Sequence, residues 1–338
     1  MSIRDTLLAG PLGFGTAPLG NMYRNISESE AMATVDAAWE AGIRFFDAAP
    51  FYGAGLAEVR LGKALKNYPR DEYVLATKVG RLVLPELVDT STRTFGDKGN
   101  IFKDGNANAI RYDYTAEGTD RSIAESLERL GVDRLDYVFI HDLAQDFHGD
   151  AWTSKFVEAQ HGAFPVLDKL RDDGVIKAWG QGTNKVEPIE MGLELSEPRA
   201  NGMLLAGRYT ILDHESALQR LMPLATTKNV DVIVGGPYNS GALVGGDHFE
   251  YGPIPPDIAE RVKTLTALCE KHEVPIKAAA LHFSLAHPAV AAVIPGSSRP
   301  GRIAEDVAAM EFAVPDSFWR DLRDSGTVSE AAPLPGDA

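Results

Sequence analysis

Short apolar runs alternate with amphipathic stretches along almost the whole chain. Leu12 to Thr16, Ile43 to Phe46, Tyr73 to Val79, Leu135 to Ile140, Val175 to Gly180, Met203 to Leu205, Val230 to Val234 and Val290 to Ile294 are read as strands. The fourth is close to a continuous apolar run, as a parallel strand buried on both faces requires. Between the runs the period changes to that of a helix. Ala31, Val35, Ala38 and Trp39 give one apolar face, opened by Ser27 as N-cap with Glu30 three residues on. Ala57 to Leu65 reads as the next helix, and Ile123, Leu127 and Leu130 mark a third that Gly131 ends. Further helices are expected up to Asp172-Asp173-Gly174, near 187–195, near 216–227, over Ile258 to Cys269, Ala278 to Leu285 and Arg302 to Met310, with Trp319 to Leu322 in a terminal helix.

Eight strand–helix units with no return to a hairpin pattern predict a single (β/α)8 TIM barrel over residues 1–338, its tail 331–338 frayed. An open doubly wound sheet is the alternative. Two segments exceed ordinary loop length, about 91–114 after the third strand and about 143–160 after the fourth. Both follow strands, so both are expected on the C-terminal face of the barrel, where barrel enzymes keep their chemistry.

Composition narrows the classes. The 338 residues are 44% hydrophobic, enough for one large core. Acidic residues number 48 against 33 basic, a net charge of −15, which excludes a basic nucleic-acid footprint and opposes an anionic membrane surface. No apolar run approaches the roughly 20 residues of a membrane span. Met1 to Asp5 starts no apolar signal core, and the lone Cys269 allows no disulfide within the chain. A soluble cytoplasmic protein with a small-molecule substrate is expected, without a nucleic-acid or membrane partner; monomer and homo-oligomer both remain open.

Four polar residues stand at or just past strand ends. Asp47 follows Arg44-Phe45-Phe46, Tyr52 lies in Ala48-Ala49-Pro50-Phe51-Tyr52-Gly53, Lys78 ends Val74-Leu75-Ala76-Thr77, and His141 follows Tyr137-Val138-Phe139-Ile140. Singly, each has a plain structural explanation: a turn aspartate, a packing tyrosine, a core histidine. Lys78 resists it, because a lysine in an apolar strand needs a partner for its charge, and Asp47 is the candidate. Together, at the ends of consecutive strands, they form a proton-transfer set. A phenol's ordinary pKa of about 10 is too high for a base near neutrality, and a nearby ammonium is expected to lower it. The histidine would hydrogen-bond a substrate oxygen while a hydride moves at the adjacent carbon. There is no His-Glu-x-x-His, Cys pair or Gly-x-Ser-x-Gly, so neither a metal centre nor a serine nucleophile is expected.

These stretches, with Leu75-Ala76-Thr77-Lys78-Val79-Gly80, Ser122-Ile123-Ala124-Glu125-Ser126-Leu127-Glu128-Arg129-Leu130-Gly131 and Asp136-Tyr137-Val138-Phe139-Ile140-His141-Asp142, resemble the aldo-keto reductases in motif order over nearly the whole chain. The resemblance implies the barrel, a nicotinamide cofactor, and the family's tetrad at Asp47, Tyr52, Lys78 and His141. It carries carboxamide binding to Thr183 and Asn184. It carries the adenosine end to Gly296, Ser297, Ser298, Arg299, Arg302, Glu305 and Asp306, with a helix after Pro300 presenting N–H groups to phosphate. Where the family often stacks a tyrosine on the nicotinamide, Val234-Gly235-Gly236-Pro237 offers Gly235, and Tyr209 and Tyr238 are possible substitutes. Members that use the phosphorylated cofactor commonly have a lysine where Gly296 stands, so NAD is the expected cofactor. The overall likeness points to the branch that oxidises cyclic hemiacetals to lactones, with pyridoxal as the expected substrate and an aldose such as L-fucose as the alternative. A cofactor-binding regulatory protein with little turnover is the reading from another class.

Overall fold

The computed structural model describes residues 2–94 and 99–337. Eight parallel strands pair in chain order: β1 (Phe14–Gly15), β2 (Phe45–Asp47), β3 (Val74–Val79), β4 (Tyr137–His141), β5 (Ala178–Thr183), β6 (Gly202–Ala206), β7 (Asp231–Gly235) and β8 (Val290–Ile294). Bridges from Leu12 to Val293 and from Gly15 to Gly296 bring the first strand region back to the last, so the sheet closes into the expected barrel. A principal helix follows each strand: α1 (Glu28–Glu40), α2 (Leu56–Leu65), α3 (Ala116–Leu130), α4 (Ala163–Asp172), α5 (Val186–Glu194), α6 (Leu221–Lys228), α7 (Ile276–Ala286) and α8 (Pro300–Glu311), with further helices such as Pro256–Lys271 beside them. The Ser27 hydroxyl accepts from the Glu30 N–H at 3.1 Å, and Gly131 ends α3 in the left-handed conformation, both as the sequence predicts.

Pleating places the chemistry. Side chains along a strand alternate between the barrel interior and the helices. Phe45, Val74, Ala76, Tyr137 and Phe139 belong to the interior cluster, with Leu204, Ile233 and Ile294. Two residues further along each strand, that parity puts Asp47 after Phe45, Lys78 after Ala76 and His141 after Phe139. Lys78 is paired in register with Phe139, and Asp47 with Ala76. Ile3 joins the interior cluster from a short 3-10 helix, Arg4–Thr6, whose Thr6 hydroxyl bonds that of Tyr137. The opposite face of the sheet packs against the helices in one large apolar cluster.

Four expectations change. The fifth strand is Ala178–Thr183 rather than Val175 to Gly180. Val175 is 55% exposed and belongs to the turn that ends α4, donating its N–H to Leu170 at 2.9 Å. The apolar pair Val175-Ile176 resembled a strand start, while the polar Gln181 and Thr183 concealed the true end. The segment after the third strand is an antiparallel hairpin, Arg81–Leu87 with Asn108–Tyr112, and its residues 95–98 lie outside those described. Residues 143–160 hold helices, Gln145–His148 and the start of Trp152–His161, in place of a long loop. At the end of the chain, where fraying was expected, Ala332 and Leu334 are buried and Asp337 pairs with Arg323 at 2.6 Å.

Candidate active site

The loop after β2 is held by backbone-to-backbone contact. Gly53 has a φ of 64°, and a Cβ there would lie 2.4 Å from the Gly20 carbonyl oxygen, so only glycine lets the two segments meet. That contact fixes Tyr52 beside Asp47 on the wall of a cleft of about 620 Å³ at the strands' C-terminal ends. Lys78 Nζ donates to Asp47 Oδ1 at 2.8 Å, Asp47 Oδ2 at 2.6 Å and the Ala48 carbonyl at 3.0 Å. Both partners are almost without solvent exposure. Burial pushes the Asp47 carboxyl up from its usual range, and the Lys78 charge opposes that shift. Lys78 Nζ also sits 4.8 Å from the centre of the Tyr52 ring. The Tyr52 and His141 rings lie 5.8 Å apart, edge to face.

The electrostatics differ from the sequence expectation in one respect. The Tyr52 phenol is held well above its ordinary value, first by burial and then by the Asp47 and Asp142 carboxylates, with Arg81 pulling the other way. The Lys78 ammonium is spent on Asp47 and does not lower it. His141 is held well below its ordinary value by burial, then by the Arg81 and Lys78 charges, so its imidazole is neutral. A neutral imidazole and a protonated phenol thus stand side by side, their rings 5.8 Å apart.

The rest of the cleft sorts the expected cofactor residues. Asn184, Gly235, Gly296, Ser298, Arg299, Arg302, Glu305 and Asp306 line it. Thr183 and Ser297 do not: the Thr183 hydroxyl accepts from the Lys185 N–H at 3.2 Å, and the Ser297 hydroxyl is tied to the backbone of Arg299. Arg299 and Arg302 form no ion pair among the described residues. Lys277, which the sequence reading missed, spans Glu305 at 2.9 Å and Asp306 at 2.7 Å. Asp306 also accepts from the Tyr238 hydroxyl at 2.8 Å. Tyr209 is fully buried and stacked on Phe283, away from the cleft. Tyr238 lines the cleft, as does a second tyrosine the sequence reading missed. This is Tyr251, whose hydroxyl accepts from the Asn184 amide at 3.0 Å. It arrives on a turn where Glu250 and Tyr251 both have positive φ, at 49° and 72°. Such a turn usually announces itself with Asn-Gly, and here no such signal exists.

Over the mouth, Phe51, Phe102, Ile101 and Ala49 form an apolar cluster, with Tyr52 and Phe147 against it. Phe156 does not join them; it packs on Phe164 at 5.6 Å, and Trp152 is half-buried where its helix begins. Among the described residues no group of three His, Cys, Asp or Glu side chains is placed to hold a metal ion. No helix among them is long and apolar enough to cross a membrane.

A parallel barrel with a lysine–aspartate pair, a tyrosine and a neutral histidine at its C-terminal mouth is the architecture of an oxidoreductase that moves a proton alongside a hydride. The aldo/keto reductase family matches residues 11–326, and the chain belongs to it. It is 36% identical to the D-threo-aldose 1-dehydrogenase of a Pseudomonas species over 94% of both chains. It is equally 36% identical to the pyridoxal 4-dehydrogenase of Microbacterium luteolum over 96% of both. An aldo-keto reductase of Bacillus halodurans, solved in its holo form, shares the fold with a TM-score of 0.69 at 24% identity, over 96% of this chain and 94% of that one. The chain is thus an oxidoreductase of this family, with dehydrogenases among its relatives.

Proposed function

We propose that this protein oxidises a cyclic hemiacetal to a lactone with NAD, and that the hemiacetal is pyridoxal's. The observation that carries the reaction is that Asp47 and Tyr52 line a cleft shared with Arg299, Arg302 and Lys277, with Lys78 paired to Asp47 and the His141 ring 5.8 Å from that of Tyr52. The lining suits a dinucleotide. Asn184 offers an amide, while Gly235, Gly236 and Gly296 leave backbone bare along the wall. Arg299 and Arg302 stand at the start of α8, where their charges and the helix dipole favour phosphate. Bound NAD would supply the hydride acceptor that no side chain provides. The substrate carbon gives up a hydride and its hydroxyl gives up a proton, leaving a C=O. Tyr52 takes that proton in its phenolate form, which its raised pKa keeps a minor species near neutrality. His141 hydrogen-bonds the same oxygen and orients it. Lys78 keeps its charge on Asp47 and near the Tyr52 ring. The lone cysteine, Cys269, is buried and free, which suits a reducing cytoplasm.

Pyridoxal closes onto its own hydroxymethyl group and presents the same hydroxyl-bearing ring carbon as a sugar hemiacetal. Tyr52 and Tyr251 line the cleft and offer aromatic surface to a flat heteroaromatic ring, whereas Phe51 and Phe102 are buried against each other and do not line it. The second reading is an aldose such as L-fucose. It is favoured by the 36% identity to a D-threo-aldose 1-dehydrogenase. A comparison of kcat/KM for pyridoxal and L-fucose with NAD decides between them. Pyridoxal is expected to win, and a clear preference for L-fucose transfers the reading to the aldose. The same assay with NADP is expected to give a lower kcat/KM. Gly296 brings no charge to the cleft, Glu305 lines it, and Lys277 is already neutralised by two carboxylates. A higher value with NADP overturns that choice.

A further inference from the structure

Directly beside His141 lies a second buried ion pair. Gly80, one residue past β3, has a φ of 98°, and a Cβ there would lie 2.3 Å from the Tyr114 ring. At that glycine the chain leaves the barrel and enters the hairpin strand Arg81–Leu87, which brings Arg81 against the mouth aromatics. The Arg81 guanidinium carbon lies 3.8 Å from the centre of the Phe51 ring, 4.4 Å from Phe147 and 5.1 Å from Tyr112. The side chain is 1% exposed. Arg81 Nη2 donates to Asp142 Oδ2 at 2.7 Å, whereas Nε and Nη1 have no hydrogen-bond partner among the described residues. A dry guanidinium with two nitrogens unpaired is costly, and aromatic faces return only part of that cost. Buried groups of this kind call for a functional explanation.

The explanation lies on the other side of the carboxylate. Asp142 Oδ2, the oxygen that Arg81 holds, is also 3.3 Å from His141 Nε2. Asp142 takes a left-handed conformation, φ 50°, with its N–H donated to the Gly182 carbonyl at 2.9 Å. We propose that Arg81 is a positioning residue for His141: by holding Asp142 at the edge of the imidazole, it fixes the ring's orientation and keeps it neutral for a hydrogen bond to the substrate oxygen. The role of that hydrogen bond rests on the proposed reaction; the arrangement itself does not. The charged and titratable groups facing His141 are Asp142 beside it, Arg81 from the hairpin, Lys78 from β3 and Tyr52 from the loop after β2. The Tyr114 hydroxyl donates to the His141 carbonyl at 2.9 Å and holds the backbone. With Arg81 present, the Asp142 charge is balanced. Without it, the Asp142 carboxylate beside the ring loses the Arg81 charge and favours imidazolium.

The test compares wild type with Arg81→Met, Arg81→Lys and the double variant Arg81→Met/Asp142→Asn. Its first readout needs no turnover: the NMR titration of the His141 ring proton, assigned by its loss in His141→Gln. Arg81→Met is expected to raise the His141 pKa by about one unit or more, and Arg81→Lys by much less. The second readout is kcat with the best hemiacetal substrate. Arg81→Met is expected to lower kcat about tenfold or more, with NADH affinity within about twofold, and Arg81→Lys to recover part of the loss. The double variant removes the buried carboxylate together with its cation, so it folds where the single change destabilises. In it, kcat stays low because the anchor is gone. An unmoved His141 titration in Arg81→Met overturns the proposal. So does a double variant with wild-type kcat, or a change confined to KM, which makes Arg81 a substrate contact. A wild type that oxidises no hemiacetal but shows the His141 shift removes the proposed reaction and leaves Arg81's hold on His141 standing.

Discussion

Lys78 has three ammonium protons, and all three rest on fixed oxygens of Asp47 and Ala48. It therefore has none to give to a substrate, and in the proposed reaction proton transfer falls to Tyr52. Tyr52→Phe keeps the ring over Lys78 and removes the one oxygen that exchanges the proton. Turnover is expected to fall by on the order of 10² to 10⁴, with NADH affinity nearly unchanged. A variant retaining more than about a tenth of wild-type kcat would show that another group carries the proton. The raised phenol sets the pH dependence. Below its pKa, the phenolate that accepts a proton grows about tenfold per pH unit, so kcat/KM for oxidation is expected to climb from pH 7 to pH 9. A flat profile across that range contradicts Tyr52 as the base. At this level the sequence was legible where polar residues end apolar runs: Asp47, Lys78 and His141 were read from their places at strand ends and from the resemblance to the family. Tyr52's raised pKa was not, because burial, the first cause, and the Asp142 carboxylate depend on how segments distant in sequence pack around the loop. Arg81 and Tyr251 were invisible for the same reason, one at the start of a hairpin and the other on a turn without a turn signature.

Elements are locked by polar contacts as well as by the apolar cluster. Glu58 of α2 is fully buried, accepts from the Thr77 hydroxyl of β3 at 2.6 Å, and pairs with Arg129 Nε of α3 at 2.6 Å. One carboxylate thus joins two helices and the strand that carries Lys78. Arg129→Met strands that carboxylate without its cation. The expected cost is about 3 kcal/mol or more, read as a lower midpoint in urea unfolding. Glu58→Gln in the same background removes the stranded charge and is expected to recover part of it. Equal midpoints for wild type and Arg129→Met would show that the contact contributes nothing. The motif Ser126-Leu127-Glu128-Arg129 was readable as a helix, but its tie to Glu58 depends on how α2 and α3 pack, which no local pattern reports. The hairpin after β3 was missed because its strand pairing shifts register between Val83 and Leu87, which blurs alternation.

The whole molecule closes because its first and last strands meet at Leu12 with Val293 and at Gly15 with Gly296, and that closure was legible from eight repeated units. The seal at the chain's end was not, since Ala332 and Leu334 look like tail composition. What fastens it is a histidine. His214 Nδ1 donates to the Thr210 carbonyl at 2.9 Å, and its Nε2 accepts from the Ser329 N–H at 3.0 Å. His287 Nδ1 accepts likewise from the Ala289 N–H at 3.1 Å. Protonation would turn each acceptor toward a donor. Burial holds His214 and His141 below the ordinary value and takes His287 down to about 4. The sign follows from proton counts. Above about pH 6.5 these three are neutral folded or unfolded, and they leave stability independent of pH. As pH falls through about 6.5, the unfolded chain takes up their protons first, and stability is lost by about 1.4 kcal/mol per pH unit for each until its folded pKa is reached. Urea unfolding at pH 7.5, 6.5 and 5.5 is expected to show little change over the first step and a clear loss over the second. His287→Gln keeps an oxygen to accept from Ala289 and cannot titrate, so its loss over the second step should be smaller by one histidine's share. Equal losses in wild type and His287→Gln would show that His287 titrates normally in the fold.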